Sequence, residues 1–373
     1  MRGSKTEGPK EVLQVRGLKL RFHTYAGDVK ALDGVELSIR KGEVMGLVGE
    51  SGCGKSVTAL AISGLLPQNA EIVGGEVMLD GKNVLTMGRE KMRIARLSDI
   101  AMVFQDPMTY LNPVLTIGSQ MTEIIQAEPK LFMPTLIRQR LGEIDGEVGS
   151  KADPQLSAER ERLASATGKR GPGRREMHRL AKSYAIHMLR SVRLPEPESV
   201  FGMFPFELSG GMRQRVMIAM AMMRRPKLLL ADEITTALDV TVQAQILQLL
   251  GELKGEMDAS VLLITHDLAV VAEVCDRVAV MYAGNIVEVA DVQELFSNPL
   301  HPYTKGLLAS VPRADVTRPT GLIEGSVPDL ISPPSGCRFH PRCPRAFETC
   351  PVRRPTLIEV SPGHVVACFL YGD

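Results

Sequence analysis

The stretch Gly49-Glu50-Ser51-Gly52-Cys53-Gly54-Lys55-Ser56 constrains this chain more than any other. It follows the apolar run Val44–Val48 and precedes a helical pattern of small residues, Val57 to Leu66. Strand, glycine loop and helix with the spacing G-x-x-x-x-G-K-S make a phosphate-binding P-loop. Its glycines let successive backbone N–H groups curl towards an anion, and the positive end of the following helix points at the same place. Lys55 is then expected to reach the β- and γ-phosphates, and the Ser56 hydroxyl to ligate Mg²⁺. The chain binds a nucleoside triphosphate on this reading, and the flanking strand and helix argue against a chance match.

At 373 residues the chain has room for two domains, or for one large α/β domain with appendages. Its 44% hydrophobic content supports a real core, and a net charge of +1 carries no nucleic-acid signature. No apolar run reaches membrane-spanning length. The opening MRGSKTEGPK is polar and lacks the apolar segment of an export signal, so the cytosol is the expected compartment. There, clustered cysteines more often hold metal than form disulfides.

Residues 12–22 and 29–40 alternate apolar and polar, predicting antiparallel strands ahead of the P-loop strand. Tyr25, in the loop between them, is placed to stack on a purine ring or to cover the sheet edge. A hairpin-like stretch follows at Gly74–Gly81. Ile100–Phe104 reads as a buried strand stopping before Pro107, with Gln105 at its C-terminal end, where ligands approach open α/β sheets. There Gln105 is suited to touch Mg²⁺ or the attacking water. Helical patterns at Ile117–Ile125 and Ser183–Val192 flank a polar, two-signed stretch from about Arg138 to Lys182. That stretch reads as a solvated or mobile insertion within a helical subdomain; contact with acidic phospholipid is the alternative.

Ser209-Gly210-Gly211 opens another helix, a second anion-facing N-terminus that a plain serine cap explains equally well. Leu228–Ala231 is a hydrophobic strand ending in Asp232 and Glu233. Acids at the end of a buried strand are costly unless a cation or hydrogen bonds hold them. Asp232 suits a Mg²⁺ role and Glu233 that of a base polarising water. A further buried strand, Val261–Thr265, carries His266 at its C-terminal end, a neutral imidazole suited to meet the γ-phosphate.

Together the P-loop, Gln105, Leu208-Ser209-Gly210-Gly211-Met212, Asp232-Glu233, Ala237-Leu238-Asp239 and His266 resemble the ATP-binding subunit of an ABC transporter. The resemblance covers roughly residues 11–290. It implies an α/β P-loop NTPase of ABC type: a RecA-like mixed-sheet core, an antiparallel β subdomain, and a helical subdomain at about 108–225 with a polar insertion at about 127–182. It further implies a head-to-tail dimer. The ATP on Gly49, Glu50, Ser51, Gly52, Cys53, Gly54, Lys55 and Ser56 would be capped by the partner's signature loop, while Ser209, Gly210 and Gly211 cap the partner's ATP. Tyr25 would stack on adenine, and Ser56, Gln105 and Asp232 would hold Mg²⁺. Gln105 would also couple the site to the membrane subunits, Glu233 would be the general base, His266 the γ-phosphate sensor and Asp239 part of the dimer contact. The family usually has proline after the catalytic acid; this chain has Ile234.

Residues 291–373 read as a small, irregular, cysteine-rich extension. Asn298-Pro299-Leu300-His301-Pro302-Tyr303 resembles the segment after the ATPase in oligopeptide, dipeptide and nickel importers. Beyond it Cys337, Cys343, Cys350 and Cys368 are spaced C-x5-C-x6-C-x17-C, without the tight C-x2-C pairs of structural zinc. Locally, an iron–sulfur cluster, zinc and free thiols all remain open; the resemblance implies a [4Fe–4S] cluster. Cys53 lies inside the P-loop and Cys275 in an apolar helical pattern, so both are left out of that set. The implied function is that of an ATPase driving peptide import from the cytoplasmic face of the inner membrane. Nickel or another solute is the alternative cargo, and a soluble ABC ATPase the alternative class. The implied partners are two membrane-spanning permease subunits, a second ATP-binding subunit that is a paralogue, and indirectly an extracytoplasmic solute-binding protein, with no nucleic acid.

Overall fold

The computed structural model describes residues 10–148, 154–165, 173–236, 238–310 and 323–372. Twelve strands form two sheets among these residues. Strands β1 (Glu11–Thr24), β2 (Gly27–Arg40), β4 (Ala70–Leu79) and β5 (Lys82–Asn83) make an antiparallel sheet in the order β2-β1-β4-β5. The second sheet runs β11 (Ile358–Ser361), β12 (His364–Val366), β10 (Asn285–Asp291), β9 (Arg277–Tyr282), β3 (Val44–Val48), β8 (Ser260–Ile264), β7 (Leu228–Asp232), β6 (Ile100–Val103). Its centre, β3, β6, β7, β8 and β9, is parallel.

Continuous burial explains the parallel core. Every residue of β3, β7 and β8 is buried, as strands covered on both faces must be. Successive side chains take opposite faces. Met45, Leu47, Leu228 and Leu230 therefore pack with the antiparallel sheet, while Val44, Val48, Leu229 and Ala231 pack towards the helices. The antiparallel pair runs further than expected: Thr24 pairs with Gly27, leaving only Tyr25 and Ala26 in the turn.

The stretch expected to be a solvated insertion is, where described, helical. Helices Pro129–Val148, Pro154–Ser165 and Arg174–Ser191 bury Leu136, Ile144, Leu163 and Leu180. The helix Arg174–Ser191, whose second half the sequence already marks as helical, buries Leu180, Ala181, Tyr184, Ala185, Met188 and Leu189. The charges of the stretch pair internally: Glu159 accepts from Arg140 at 3.1 Å and from Arg179 at 2.9 Å, and Arg160 meets Asp145 at 2.7 Å. Within that stretch, residues 149–153 and 166–172 lie outside the described residues.

The C-terminal extension is also less irregular than expected. Its helix Pro302–Ala309 and strands β11 (Ile358–Ser361) and β12 (His364–Val366) are regular, and β12 pairs antiparallel with β10 (Asn285–Asp291), Val366 opposite Glu288. The extension thereby lengthens the sheet that contains β3. Glu288, fully buried, anchors the join: its carboxylate accepts the backbone N–H groups of Leu300 and His301 and contacts His364 Nε2 at 2.8 Å. Among the described residues no helix is long and apolar enough to cross a membrane.

Candidate active site

The C-terminal ends of β3, β7 and β8 supply the site. The loop after β3 turns through Gly49, at φ 153°, and reaches Gly54, at φ 110°, which opens the helix Lys55–Ser63. Neither position accepts a side chain. A Cβ at Gly49 would lie 2.1 Å from the Met281 carbonyl oxygen, and one at Gly54 2.8 Å from Leu32 Cδ2. Glu50 and Ser51 stay near the surface while Cys53 is buried, its carbonyl accepting the Gly284 N–H at 2.7 Å. Lys55 folds back on its own loop, donating to the carbonyls of Gly49 at 2.8 Å and Glu50 at 3.0 Å.

Ser56 Oγ donates to Asp232 Oδ1 at 3.0 Å, so the P-loop helix and the end of β7 meet. Burial holds the Asp232 carboxyl above its ordinary range, with the neighbouring Glu233 pushing the same way, while the Ser56 hydrogen bond and Lys55 oppose the shift. A desolvated carboxylate beside a hydroxyl is a donor set that a hard divalent cation fits, because its charge offsets the cost of burial.

Glu233 has left the strand and sits at φ 49°, its N–H bound to the Ile264 carbonyl at 2.9 Å. Ile264 closes β8, which ties the backbone of this acid to the strand carrying His266. His266 Nδ1 stands 3.6 Å from Glu233 Oε1, beyond a formed hydrogen bond, and its side chain is 63% exposed. Thr236 Oγ1 approaches the other Glu233 oxygen at 3.4 Å. Ile234, in place of the family's proline, is buried. Asp267, which the sequence alone does not single out, caps the helix Leu268–Val274 and accepts from Gln243 at 3.1 Å.

The remaining residues stand apart from this cluster or at its edge. Gln105 is exposed just beyond β6, next to Phe104, whose ring stacks on Tyr110 at 3.8 Å. Tyr25 is fully exposed at its turn. Ser209 caps the helix Gly210–Met222, accepting the Met212 N–H at 3.3 Å. Gly211 packs closely under Val242, where an added Cβ would lie 2.9 Å from Cγ1, whereas one at Gly210 would meet only Leu238 Cδ2, at 3.9 Å. Asp239 caps the helix Val240–Met257. Ala237 lies outside the described residues. Two residues that sequence reasoning does not connect to the site, Tyr303 and Arg342, touch Glu50. Tyr303 is visible in the sequence only as part of a segment resemblance, and nothing local singles out Arg342.

The four tail cysteines line one small cavity with Phe339, His340 and Phe369. Burial, reinforced by the neighbouring sulfurs, pushes the Cys337 thiol up to about 11. Yet among the described residues no group of three or more His, Cys, Asp or Glu is disposed to hold a metal ion. The donor types suit a four-thiolate group, but the side chains are not converged as ligands. Cys53 and Cys275 are buried elsewhere.

This fold and strand-end geometry are those of an ABC ATPase. The ATP-binding cassette MJ0796, solved as a dimer bound to ADP and Pi, superposes with a TM-score of 0.57 over 75% of this chain and 98% of its own, at 23% identity. The family profile described as ABC transporter matches residues 32–236, and that described as oligopeptide/dipeptide transporter, C-terminal region, matches residues 287–350. The oligopeptide transport ATP-binding protein OppD of Escherichia coli is 43% identical, over 96% of this chain and 93% of its own. The dipeptide transport ATP-binding protein DppD of Bacillus subtilis is 42% identical, over 96% of this chain and 95% of its own. The chain therefore belongs to the ATP-binding subunits of oligopeptide and dipeptide ABC transporters, the ATPases of those systems.

Proposed function

We propose that this chain binds ATP at Gly49–Ser56 and hydrolyses it to drive peptide import through membrane-spanning permease subunits. The observation that carries the reading is the 3.0 Å contact between Ser56 and Asp232, with Glu233 and His266 immediately beyond it. Three separate strand ends converge there on the groups that phosphoryl transfer to water requires. Ser56 and Asp232, with Gln105, would hold Mg²⁺, which supplies charge neutralisation at the phosphates. Glu233 accepts the proton of the attacking water, and His266 steadies Glu233 and meets the γ-phosphate. The 3.6 Å separation of these two side chains is of the kind that tightens when substrate closes the site.

The site is composite on this reading. Ser209, Gly210 and Gly211 cap ATP on a second, paralogous ATP-binding subunit, Asp239 lies in the dimer contact, and the partner returns the same loop. Tyr25, unencumbered at its turn, stacks on adenine. Residues 11–290 act as the nucleotide-binding domain and 291–373 as its extension, peripheral at the cytoplasmic face of the inner membrane, with two permease subunits and an external solute-binding protein completing the system. Peptide is the favoured cargo because the relatives above are named for oligopeptide and dipeptide transport. The deciding experiment is Glu233→Gln in the assembled transporter with the partner's own site disabled. ATP binding should persist while turnover disappears; normal hydrolysis refutes the assignment.

We also propose that Cys337, Cys343, Cys350 and Cys368 hold a [4Fe–4S] cluster. Four thiols on one cavity support it. Burial raises the proton affinity of Cys337, Cys343 and Cys368, and a bound metal group would overcome that by taking them as thiolates. Ligation requires the side chains to close inward. Anaerobic purification should give a coloured protein; a colourless preparation with stoichiometric zinc refutes the cluster.

A further inference from the structure

The C-terminal extension grips the P-loop. Arg342 makes a two-pronged ion pair with Glu50, Nη1 to Oε2 at 2.8 Å and Nη2 to Oε1 at 3.1 Å. Its guanidinium also donates to the Tyr282 hydroxyl at 3.2 Å and to the carbonyls of Glu324 at 2.9 Å and Gly325 at 3.2 Å. The Arg342 side chain is 8% exposed and that of Glu50 26%, so the pair is desolvated on its Arg342 side, where the guanidinium donors are satisfied. The backbone of the same loop residue is held too: the Glu50 N–H donates to the Tyr303 hydroxyl at 2.9 Å. Tyr303 is itself wedged among Tyr282 and Phe339, with ring centroids 4.7 and 5.4 Å away.

Glu50 therefore meets the extension through both its side chain and its peptide, while Lys55 donates to the carbonyls on either side of that N–H. A carboxylate inside an anion-binding loop opposes a triphosphate unless its charge is cancelled. Arg342 cancels it, and the rigid fork fixes where the loop's backbone points.

We infer that Arg342 is a positioning residue for ATP, neutralising and orienting Glu50 so that the folded extension sets the affinity of the P-loop. The inference rests on the reading of Gly49–Ser56 as the triphosphate site. It makes the segment between Cys337 and Cys343 a direct mechanical link from the tail to the nucleotide, independent of what the cysteines hold.

The test is equilibrium binding of a fluorescent ATP analogue to the full chain, with thermal melting as the check on folding. Arg342→Ala should weaken binding about 3- to 10-fold, the net worth of one ordinary hydrogen bond, because the pair acts on ATP only through Glu50. In a Glu50→Gln background, where no carboxylate remains to be neutralised, the same substitution should change binding by no more than about twofold. A general loss of structure would weaken both backgrounds alike. No loss in the first background, or an equal loss in both, overturns the inference. If Arg342→Ala does not fold, Arg342→Gln, which keeps part of the side chain's length and polarity without its charge, decides by the same comparison. Lys55→Ala separates the two levels: unaltered binding in that variant would sink the P-loop reading itself, whatever Arg342 does.

Discussion

Ser56 Oγ and Asp232 Oδ1 lie 3.0 Å apart although 176 positions separate them in the chain. The contact exists because β3 and β7 both pair with β8 in parallel, bringing their C-terminal ends to one edge of the sheet. If this pair receives Mg²⁺, Ser56→Ala should retain ATP binding in EDTA and lose most of the gain that Mg²⁺ confers. A fall of at least about 10-fold in Mg²⁺ affinity is expected, because losing a direct ligand should cost no less than losing a group that only supports one. Titrating Mg²⁺ against ATP-analogue binding reads it, and an unchanged Mg²⁺ dependence removes Ser56 from that role.

Gly49 leaves no room for a methyl group. Because an added Cβ would lie 2.1 Å from the Met281 carbonyl, Gly49→Ala must displace either the P-loop or the end of β9. A destabilisation of about 3 kcal/mol or more is expected, since backbone cannot yield as a side-chain tip does. Urea unfolding checks it, with Gly210→Ala as the contrast, because a Cβ there would meet only Leu238 Cδ2, at 3.9 Å.

The join between extension and sheet should be acid-sensitive. Complete burial drives the His301 imidazole down to about 3, and its Nδ1 accepts the Tyr303 N–H as the cap of the helix Pro302–Ala309. A histidine kept neutral when folded and free to protonate when unfolded contributes stability above pH 6.5 that is lost as pH falls towards 3. Between about pH 7 and pH 5 the wild-type chain should lose about 2 kcal/mol more than His301→Asn, which can still cap the helix. Equal losses in the two proteins would refute the burial argument.

Arg338 is the other buried tie from the extension. It contacts Asp33 at 2.8 Å, donates to the Ala283 carbonyl, and is 2% exposed. Arg338→Met should cost about 3 kcal/mol, the low end for breaking a buried pair, since Arg354 also reaches Asp33 and spares it full isolation. The melting temperature should drop and proteases should cut the extension sooner; unchanged melting would show that the pair contributes nothing net.

Much of the site is legible in the sequence because its chemistry is local. Gly49 to Ser56 must be a turn that only glycines permit, and Asp232 and Glu233 end a strand apolar enough to recognise. The helices Pro129–Val148 and Pro154–Ser165 within the polar stretch are hard to read from sequence because they are rich in charged residues and those charges pair with one another, as Glu159 does with Arg140 and Arg179. The tail's regular strand escapes sequence reading because β12 is three residues long and forms only against β10 and β11.

By itself, then, the sequence determined which groups are available to phosphate and in which order along the chain they occur, since the spacing of glycines, acids and buried strands is written in neighbouring residues. Only the tertiary structure decided that Arg342 and Tyr303 close on Glu50. That contact spans 253 positions from Tyr303 and 292 from Arg342, in a fold where β12 also joins the extension to β10 of the sheet that holds the P-loop strand. Nothing local to Arg342 encodes it, because an ion pair formed by two distant segments is a property of how the chain closes on itself.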